Sequence, residues 1–165
     1  NKKLIPEKFA ESKTDIWGAA LTGGIGGGAT KSYLIGLTSR NKLKVKNQEL
    51  TLKINQNVDV AGNKISNISA QQFFSDAQSP NDFALVKLNT NIKKKERWIK
   101  TGSMSLAGGY SFQIRKKLYI DFEWEELENN TFKIKTNLEP DNYAFVFIGT
   151  SAYSNNSIFT FTVEY

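Results

Sequence analysis

The sequence contains no cysteine and no histidine, and these two absences exclude much of the chemistry that proteins perform. Without cysteine the chain has no thiol nucleophile and no disulfide, and without either residue it has no Cys/His zinc site and no haem held by those ligands. A Ser-His-Asp triad is excluded as well. We therefore expect no metal and no cofactor, and only carboxylate, lysine, tyrosine and hydroxyl groups remain for catalysis.

Arginine is also scarce. Only Arg40, Arg97 and Arg115 stand among the 22 basic residues, and the other 19 are lysines. Proteins that grip phosphates or read bases rely on the arginine fork, which pairs bidentately with phosphate and guanine. The net charge of +6 therefore does not make nucleic acid the favoured partner.

Long apolar runs are missing too. A spanning helix needs about 18 or more consecutive apolar residues, and we expect no transmembrane span. The length of 165 residues suits one domain. The chain begins at Asn1 rather than at a methionine, so we expect that an upstream piece, such as an export signal, has been removed. This favours a secreted, periplasmic or cell-surface protein.

The first 30 residues differ in composition from the rest. Residues 1–15 are polar and charged, and residues 16–30 hold six glycines. We predict a flexible lead over 1–30 and a single domain over 31–165. A phosphate loop is not favoured, because Thr30 and Ile25 stand where that motif requires glycine around Lys31. The small-xxx-small spacing of this segment leaves a membrane-interacting protein as one alternative.

From Lys31 onward, apolar and polar residues alternate with a period of two, which is typical of half-buried strands. About ten short strands separated by turn-forming dipeptides predict an all-β fold, an antiparallel β-sandwich. The segment 142–148 is apolar on both faces and should be a central strand. Residues 110–125 keep one apolar face with Lys116 as its one exception, which predicts either a hairpin with loop 115–117 or one long bent strand. The predicted strands are 31–37, 43–46, 49–55, 83–88, 97–101, 110–115, 118–125, 131–136, 142–148 and 157–165.

Charge is distributed unevenly along the chain. Residues 79–117 hold nine basic and two acidic side chains, whereas residues 118–165 hold two basic and eight acidic ones. Cross-strand ion pairs can absorb part of this asymmetry. The remainder predicts a basic patch that contacts an anionic glycan, lipid or protein surface. The candidate residues are Lys93, Lys94, Lys95, Arg97, Arg115, Lys116 and Lys117.

An acidic stripe offers the competing hypothesis of an enzyme. Asp121, Glu123 and Glu125 project from one strand face, and alternate residues lie about 6.6 Å apart, a spacing found in inverting glycosidases. A general acid of this kind needs an apolar pocket to raise its pKa. A solvated charged face is the simpler interpretation, so a carboxylate-dependent glycan hydrolase stays the alternative and we expect a non-enzymatic protein.

Three tryptophans could stack on sugars. Trp124 shares the apolar face of its segment and is predicted to pack in the core. Trp98 stands beside Arg97, and Trp17 lies next to the glycine run, where a core explains it least.

Two segments carry a resemblance to a known type of domain. The segment 138–146, LEPDNYAFV, resembles the pattern L-x-P-G-E-Y-A-F of bacterial exported β-sandwich domains of unknown function, with Asp141-Asn142 in place of Gly-Glu. The segment 79–88, SPNDFALVKL, looks like an earlier strand of the same type, followed by a Lys/Arg-rich strand. The resemblance implies export and a β-sandwich, and it implies no catalytic residue. We therefore expect an exported binding or assembly module.

Overall fold

The computed structural model describes residue 4 and residues 7–15, 28–45, 48–54, 77, 79–104, 110–111, 114–148 and 157–165. Over these residues the chain is almost entirely β, with two one-turn 3-10 helices at Pro80–Asp82 and Lys116–Leu118. The strands are β1 (Glu7–Lys8), β2 (Glu11–Asp15), β3 (Gly28–Ile35), β4 (Lys42–Lys44), β5 (Leu50–Lys53), β6 (Phe83–Lys87), β7 (Asn89–Asn91), β8 (Glu96–Met104), β9 (Tyr110–Ser111), β10 (Tyr119–Ile120), β11 (Glu123–Glu126), β12 (Thr131–Lys135), β13 (Asn142–Phe147) and β14 (Ser157–Glu164).

A six-stranded sheet forms the middle layer. Its strands follow the order β1-β14-β13-β6-β10, and β4 also pairs with β14. These pairings are antiparallel except for β4 with β14, which is parallel. Strand β13 is buried at all of its positions because it lies between β14 and β6 and is covered on both faces. This confirms the prediction of a central strand.

One face of the middle sheet packs against a three-stranded sheet of order β11-β12-β5. Tyr143, Phe145 and Phe147 alternate along β13 and join one core cluster with Phe132 and Ile134 of β12. Burying aromatic side chains of this size contributes several kcal/mol to folding, at roughly 25 cal/mol per Å² of apolar surface. The aromatic face of β13 therefore holds these two layers together.

The other face of the middle sheet packs against a five-stranded sheet of order β2-β3-β8-β7, with β9 beside β8. Ala144 and Val146 of β13 join a second core cluster with Leu34 of β3 and Ile99 of β8. The fold is thus an antiparallel, sandwich-like all-β structure in which the six-stranded sheet lies between the two smaller sheets. The fold class predicted from the sequence is confirmed.

The segment 110–125 differs from both predicted forms. Its residues contribute β9 to the five-stranded sheet, β10 to the six-stranded sheet and β11 to the three-stranded sheet. The predicted loop 115–117 overlaps the 3-10 turn Lys116–Leu118, in which the Leu118 N–H donates to the Arg115 carbonyl. The regular alternation was misleading because it continues across residues that the structure divides among three different sheets.

The beginning of the chain also differs from the expected flexible lead. Residues 7–8 pair with β14, and residues 11–15 pair with β3 along their whole length. Gly28 permits this second pairing, because a Cβ at that position would lie 2.8 Å from the Asp15 carbonyl oxygen. Polar sequence did not prevent order here, since an edge strand needs only backbone partners and one shielded face. The rest of the glycine-rich segment, 16–27, lies outside the described residues, as does Trp17.

Candidate ligand-binding surface

Arg97 was predicted to belong to an exposed basic patch, but its side chain is only 1% exposed. It points inward from β8, where its Nη2 donates to Glu7 Oε2 at 2.7 Å and its Nε donates to the Gly36 carbonyl at 3.0 Å. This assignment is therefore corrected: Arg97 is the buried half of an ion pair and has no surface to offer a ligand. The alternation in β8 places residue 97 on the inner face, next to Ile99.

The Glu7 carboxylate completes a polar cluster between the five-stranded and six-stranded sheets. Its Oε1 accepts hydrogen bonds from Ser39 Oγ at 2.9 Å and from Thr160 Oγ1 at 2.6 Å. Burial by itself raises the pKa of Glu7, but the hydrogen bonds from Thr160 and Arg97, the charge of Arg97 and the bond from Ser39 outweigh it, so the pKa is lowered from 4.5. The cluster fastens β1 and the loop 36–41 to β14 and β8.

The other predicted basic residues lie at two separate places. Lys93, Lys94 and Lys95 are exposed in the turn between β7 and β8, at one end of the five-stranded sheet. Arg115, Lys116 and Lys117 are also exposed, but they precede β10 at the edge of the six-stranded sheet. The structure therefore divides the predicted patch between two elements. These six residues make no ion pair with the described part of the chain.

Cross-strand ion pairs absorb part of the charge asymmetry, as the sequence indicated. Only Lys87–Asp141, at 2.6 Å, joins the basic middle segment to the acidic tail among the described residues. Besides the buried Glu7–Arg97 pair, the other pairs that join different elements of the described chain are Lys42–Glu164, Lys133–Glu49 and Lys135–Glu125.

The acidic stripe is a solvated surface in the structure. Asp121, Glu123 and Glu125 are all exposed. Lys135 and Lys133 are the partners of Glu123 and Glu125 in the register of β11 with β12, and Lys135 Nζ lies 3.4 Å from Glu125 Oε2. Among the described residues nothing apolar encloses these carboxylates, whereas a glycosidase acid needs a desolvated pocket to raise its pKa. Trp124 alternates with Glu123 and Glu125 along β11 and is 37% exposed, so the prediction that it packs in the core is wrong; its ring lies edge-on to Phe132 at 5.4 Å.

The outer face of the five-stranded sheet carries a cationic row that the sequence analysis did not identify. The register places Lys13 of β2, Lys31 of β3 and Lys100 of β8 directly opposite one another across three neighbouring strands. Like charges in directly opposed positions destabilise a sheet. Lys13 has a partner in Glu11 at 2.6 Å, whereas Lys31 and Lys100 have no ion pair within the described residues. We call these three residues the lysine row.

Two half-exposed aromatic side chains lie beside the lysine row. Tyr33 of β3 is the register partner of Trp98 of β8, one step along the same face. Lys31 Nζ lies 4.7 Å from the centre of the Trp98 ring, and Lys13 Nζ lies 5.6 Å from the centre of the Tyr33 ring. Each cation–π contact holds an ammonium group next to an apolar ring face. We call Tyr33 and Trp98 the aromatic pair.

The pattern that would have revealed this surface is present in the sequence, but only once two strands are aligned. The segments Lys31–Ser32–Tyr33 and Trp98–Ile99–Lys100 both place a lysine and an aromatic residue two positions apart on one face. Their antiparallel register brings lysine opposite lysine and ring opposite ring. Register between strands about 65 residues apart depends on tertiary packing, so composition alone could not supply it.

The described residues hold no group of three or more acidic side chains arranged to bind a metal ion, and no described helix is long and apolar enough to cross a membrane. Comparison of the chain with models of protein families, with curated proteins and with solved structures finds no match.

Proposed function

We propose that this protein is a non-enzymatic binding module that acts outside the cytoplasm and takes an acidic glycan on the outer face of its five-stranded sheet. The observation that carries the proposal is the lysine row beside the aromatic pair. Three cations directly opposite one another weaken the free protein, and an anionic ligand removes that repulsion on binding. The electrostatic repulsion that destabilises the free protein is therefore also the repulsion whose removal favours binding.

The aromatic pair favours a sugar over a simple anion. An aromatic ring has a negative face, and the C–H face of a sugar ring is apolar with a weak positive charge, so the two surfaces pack well. The ammonium groups of Lys31 and Lys13 lie next to these rings. A uronic acid presents the matching combination, a carboxylate beside a C–H face. An open sheet face also suits an extended polymer, which needs no deep pocket.

Nucleic acid fits this face less well. Arg97 is buried, and Arg40 and Arg115 lie outside the five-stranded sheet. The outer face therefore offers lysine ammonium groups to a phosphate and no arginine side chain that could bind it through two parallel hydrogen bonds.

The proposal is tested by calorimetry with a polyuronate and with a neutral glycan of similar length. We expect binding of the polyuronate alone, with an affinity that falls as ionic strength rises, because exposed charges are screened beyond about 8 Å at 0.15 M salt. Lys31→Gln with Lys100→Gln should weaken binding at least tenfold, about 1.4 kcal/mol.

The matched control is Lys53→Gln with Lys135→Gln, which removes the same charge from exposed positions on the three-stranded sheet. Equal losses in the two double variants would mean that net charge alone matters, and the proposed site would be wrong. Tighter binding of single-stranded DNA than of polyuronate would replace the glycan with nucleic acid.

A further inference from the structure

Two isoleucines are exposed to an unusual degree. Ile35 is 81% exposed and Ile92 is 76% exposed, whereas the other large exposed hydrophobic residues in the described part of the chain lie between 36% and 45%, apart from Tyr165 at the end of the chain. Exposing most of an isoleucine forgoes the stabilisation that its burial would give. Singly exposed apolar residues are common, so their position must decide whether they matter.

Both isoleucines lie at the same end of the five-stranded sheet. Ile35 is the last residue of β3 and the register partner of Glu96, which in turn is the partner of Asn91. Ile92 follows Asn91 and opens the turn between β7 and β8. Three neighbouring strands span about 10 Å, so the two side chains project from one narrow edge.

Three lysines complete this edge. Lys93, Lys94 and Lys95 follow Ile92 in the turn, and the Gly36 N–H donates to the Lys95 carbonyl at 2.8 Å, which ties the turn to the end of β3. Glu96 is the one acidic residue of the turn and its flanking positions 91–96. We call Ile35, Ile92, Lys93, Lys94 and Lys95 the tip.

The backbone of the turn shows that its last lysine carries a conformational cost. Lys95 has a φ of +52°, in the left-handed region. Glycine and asparagine adopt this region with least strain, and a residue such as lysine is uncommon there. The Asn91 side chain supports the turn by accepting the Lys94 N–H at 3.2 Å. A strained backbone position is a reason to look for a function of the side chain that occupies it.

We infer that the tip docks onto the surface of an anionic lipid bilayer, with Ile35 and Ile92 entering the interface and the three lysines contacting headgroups. Peripheral membrane binding combines buried apolar area with electrostatic attraction to anionic lipids, and the tip supplies both. Two isoleucines, one at the end of β3 and one in the adjacent turn, offer much less area than the roughly 1,000 Å² that a specific protein interface needs. A bilayer requires no shape complementarity and accepts such a small projecting edge.

This inference goes beyond the glycan site and is independent of it. Lys31 and Ile35 lie on the same face of β3, four residues apart, or about 13 Å. Docking through the tip would therefore hold the lysine row and the aromatic pair close to the bilayer surface without covering them. The same strand then serves two contacts of different chemistry.

The test measures binding of the whole chain to vesicles of phosphatidylserine with phosphatidylcholine, and to vesicles of phosphatidylcholine alone. We expect binding to the anionic vesicles only. Ile92→Ser and Ile35→Thr should each weaken it about tenfold, since each removes an apolar side chain from the interface. Leu127→Ser is the matched control, because Leu127 is 45% exposed and follows β11 of the opposite sheet.

Lys95→Asn separates a binding role from a structural one. Each lysine near an anionic leaflet is worth about fivefold in affinity, so the variant should lose about that much. Its thermal stability should stay equal or rise, because asparagine tolerates the left-handed conformation. A residue that only shapes the turn would leave vesicle binding unchanged.

Three results would overturn the inference. One is equal binding to neutral and anionic vesicles. Another is unchanged binding in Ile92→Ser, Ile35→Thr and Lys95→Asn, each checked to be folded by circular dichroism. The third is self-association of the chain in the absence of lipid that the isoleucine variants abolish, which would make the tip a contact between copies. If the native chain binds anionic vesicles but not polyuronate, only the proposed glycan site is refuted and the inference about the tip stands.

Discussion

Replacing Glu7 by glutamine tests the buried ion pair on which the packing of the two larger sheets depends. The Arg97 side chain is 1% exposed, and that of Glu7 is 17% exposed. Removing one partner of a buried pair leaves an uncompensated charge and costs about 3–5 kcal/mol. Without Glu7, the guanidinium would keep only the neutral carbonyl groups of Gly36 and Ile35 among the partners in the described part of the chain, where its buried Nη1 makes no hydrogen bond.

The expected loss is a large fraction of the unfolding free energy of an ordinary domain, which is about 5–15 kcal/mol. For a chain of this length, each kcal/mol corresponds to about 2–4 °C in Tm. Glu7→Gln should therefore lower Tm by roughly 6–20 °C in a thermal scan at pH 7. Urea unfolding gives the free energy directly and shows whether the slope stays constant.

Glu11→Gln is the matched control for this substitution. Glu11 pairs with Lys13 at 2.6 Å, but the side chains are 46% and 60% exposed. Exposed pairs of this kind contribute about 0–1 kcal/mol. Similar small losses in Glu7→Gln and Glu11→Gln would refute the view that the Glu7–Arg97 pair is buried and that it fastens β1 to the fold.

The pH dependence of stability follows from the same residue. The pKa of folded Glu7 lies below 4.5, so the folded state binds its proton less readily than the unfolded state. The stabilisation from this shift is fully present above pH 4.5 and is lost as the pH falls through the lower pKa of the folded protein. Glu7→Gln removes this contribution, so the difference in unfolding free energy between the native protein and the variant should shrink in acid.

Substitutions at three other positions test the core, the β11–β12 turn and the acidic stripe. Phe161→Ala should cost about 3–5 kcal/mol, because the ring is 0% exposed and stacks on Tyr143 and Phe145; a loss under 1 kcal/mol in urea unfolding would contradict the described core. Asn130→Val should cost about 1–2 kcal/mol, since Asn130 has a φ of +54° in the β11–β12 turn. Asn130→Gly should leave the free energy of unfolding almost unchanged. Equal losses in the two variants would mean that the backbone conformation is not the cause. Glu123→Gln should change stability by less than about 0.5 kcal/mol, as expected for an exposed residue, and should change no glycan-hydrolysis signal; loss of such a signal would restore the enzyme hypothesis.

The strands that could be predicted from the sequence are those whose pattern of polar and apolar residues shows directly which of their faces are buried. Strand β13 has no polar face, and the structure covers both of its faces. Strand β14 alternates Phe159, Phe161 and Val163 with threonines, and Phe161 and Val163 lie in the core shared with the three-stranded sheet. The turn-forming dipeptide Asn129-Asn130 lies between the predicted strands 118–125 and 131–136, and both of its residues have positive φ. These features depend on short stretches of chain, so local chemistry determines them.

The candidate site was harder to predict because it depends on which strands meet. Arg97 looked like part of a surface patch, but its partner Glu7 lies 90 residues away in a segment that was expected to be flexible. The lysine row joins residues 13, 31 and 100, which are far apart in sequence and align only through the registers of β2 with β3 and β3 with β8. Long-range register is set by packing, and single-sequence patterns do not contain it.

Mapping the bound ligand by nuclear magnetic resonance tests the central claim, that the outer face of the five-stranded sheet is the ligand-binding surface. Backbone amide and tryptophan indole signals are recorded while a uronic-acid oligomer is added. We expect the largest shifts on Lys31, Tyr33, Trp98 and Lys100, including the indole N–H of Trp98, and no change for Trp124 on the three-stranded sheet. Shifts centred on β11 and β12 or on residues 115–117, or no shifts at millimolar oligomer, would contradict the claim.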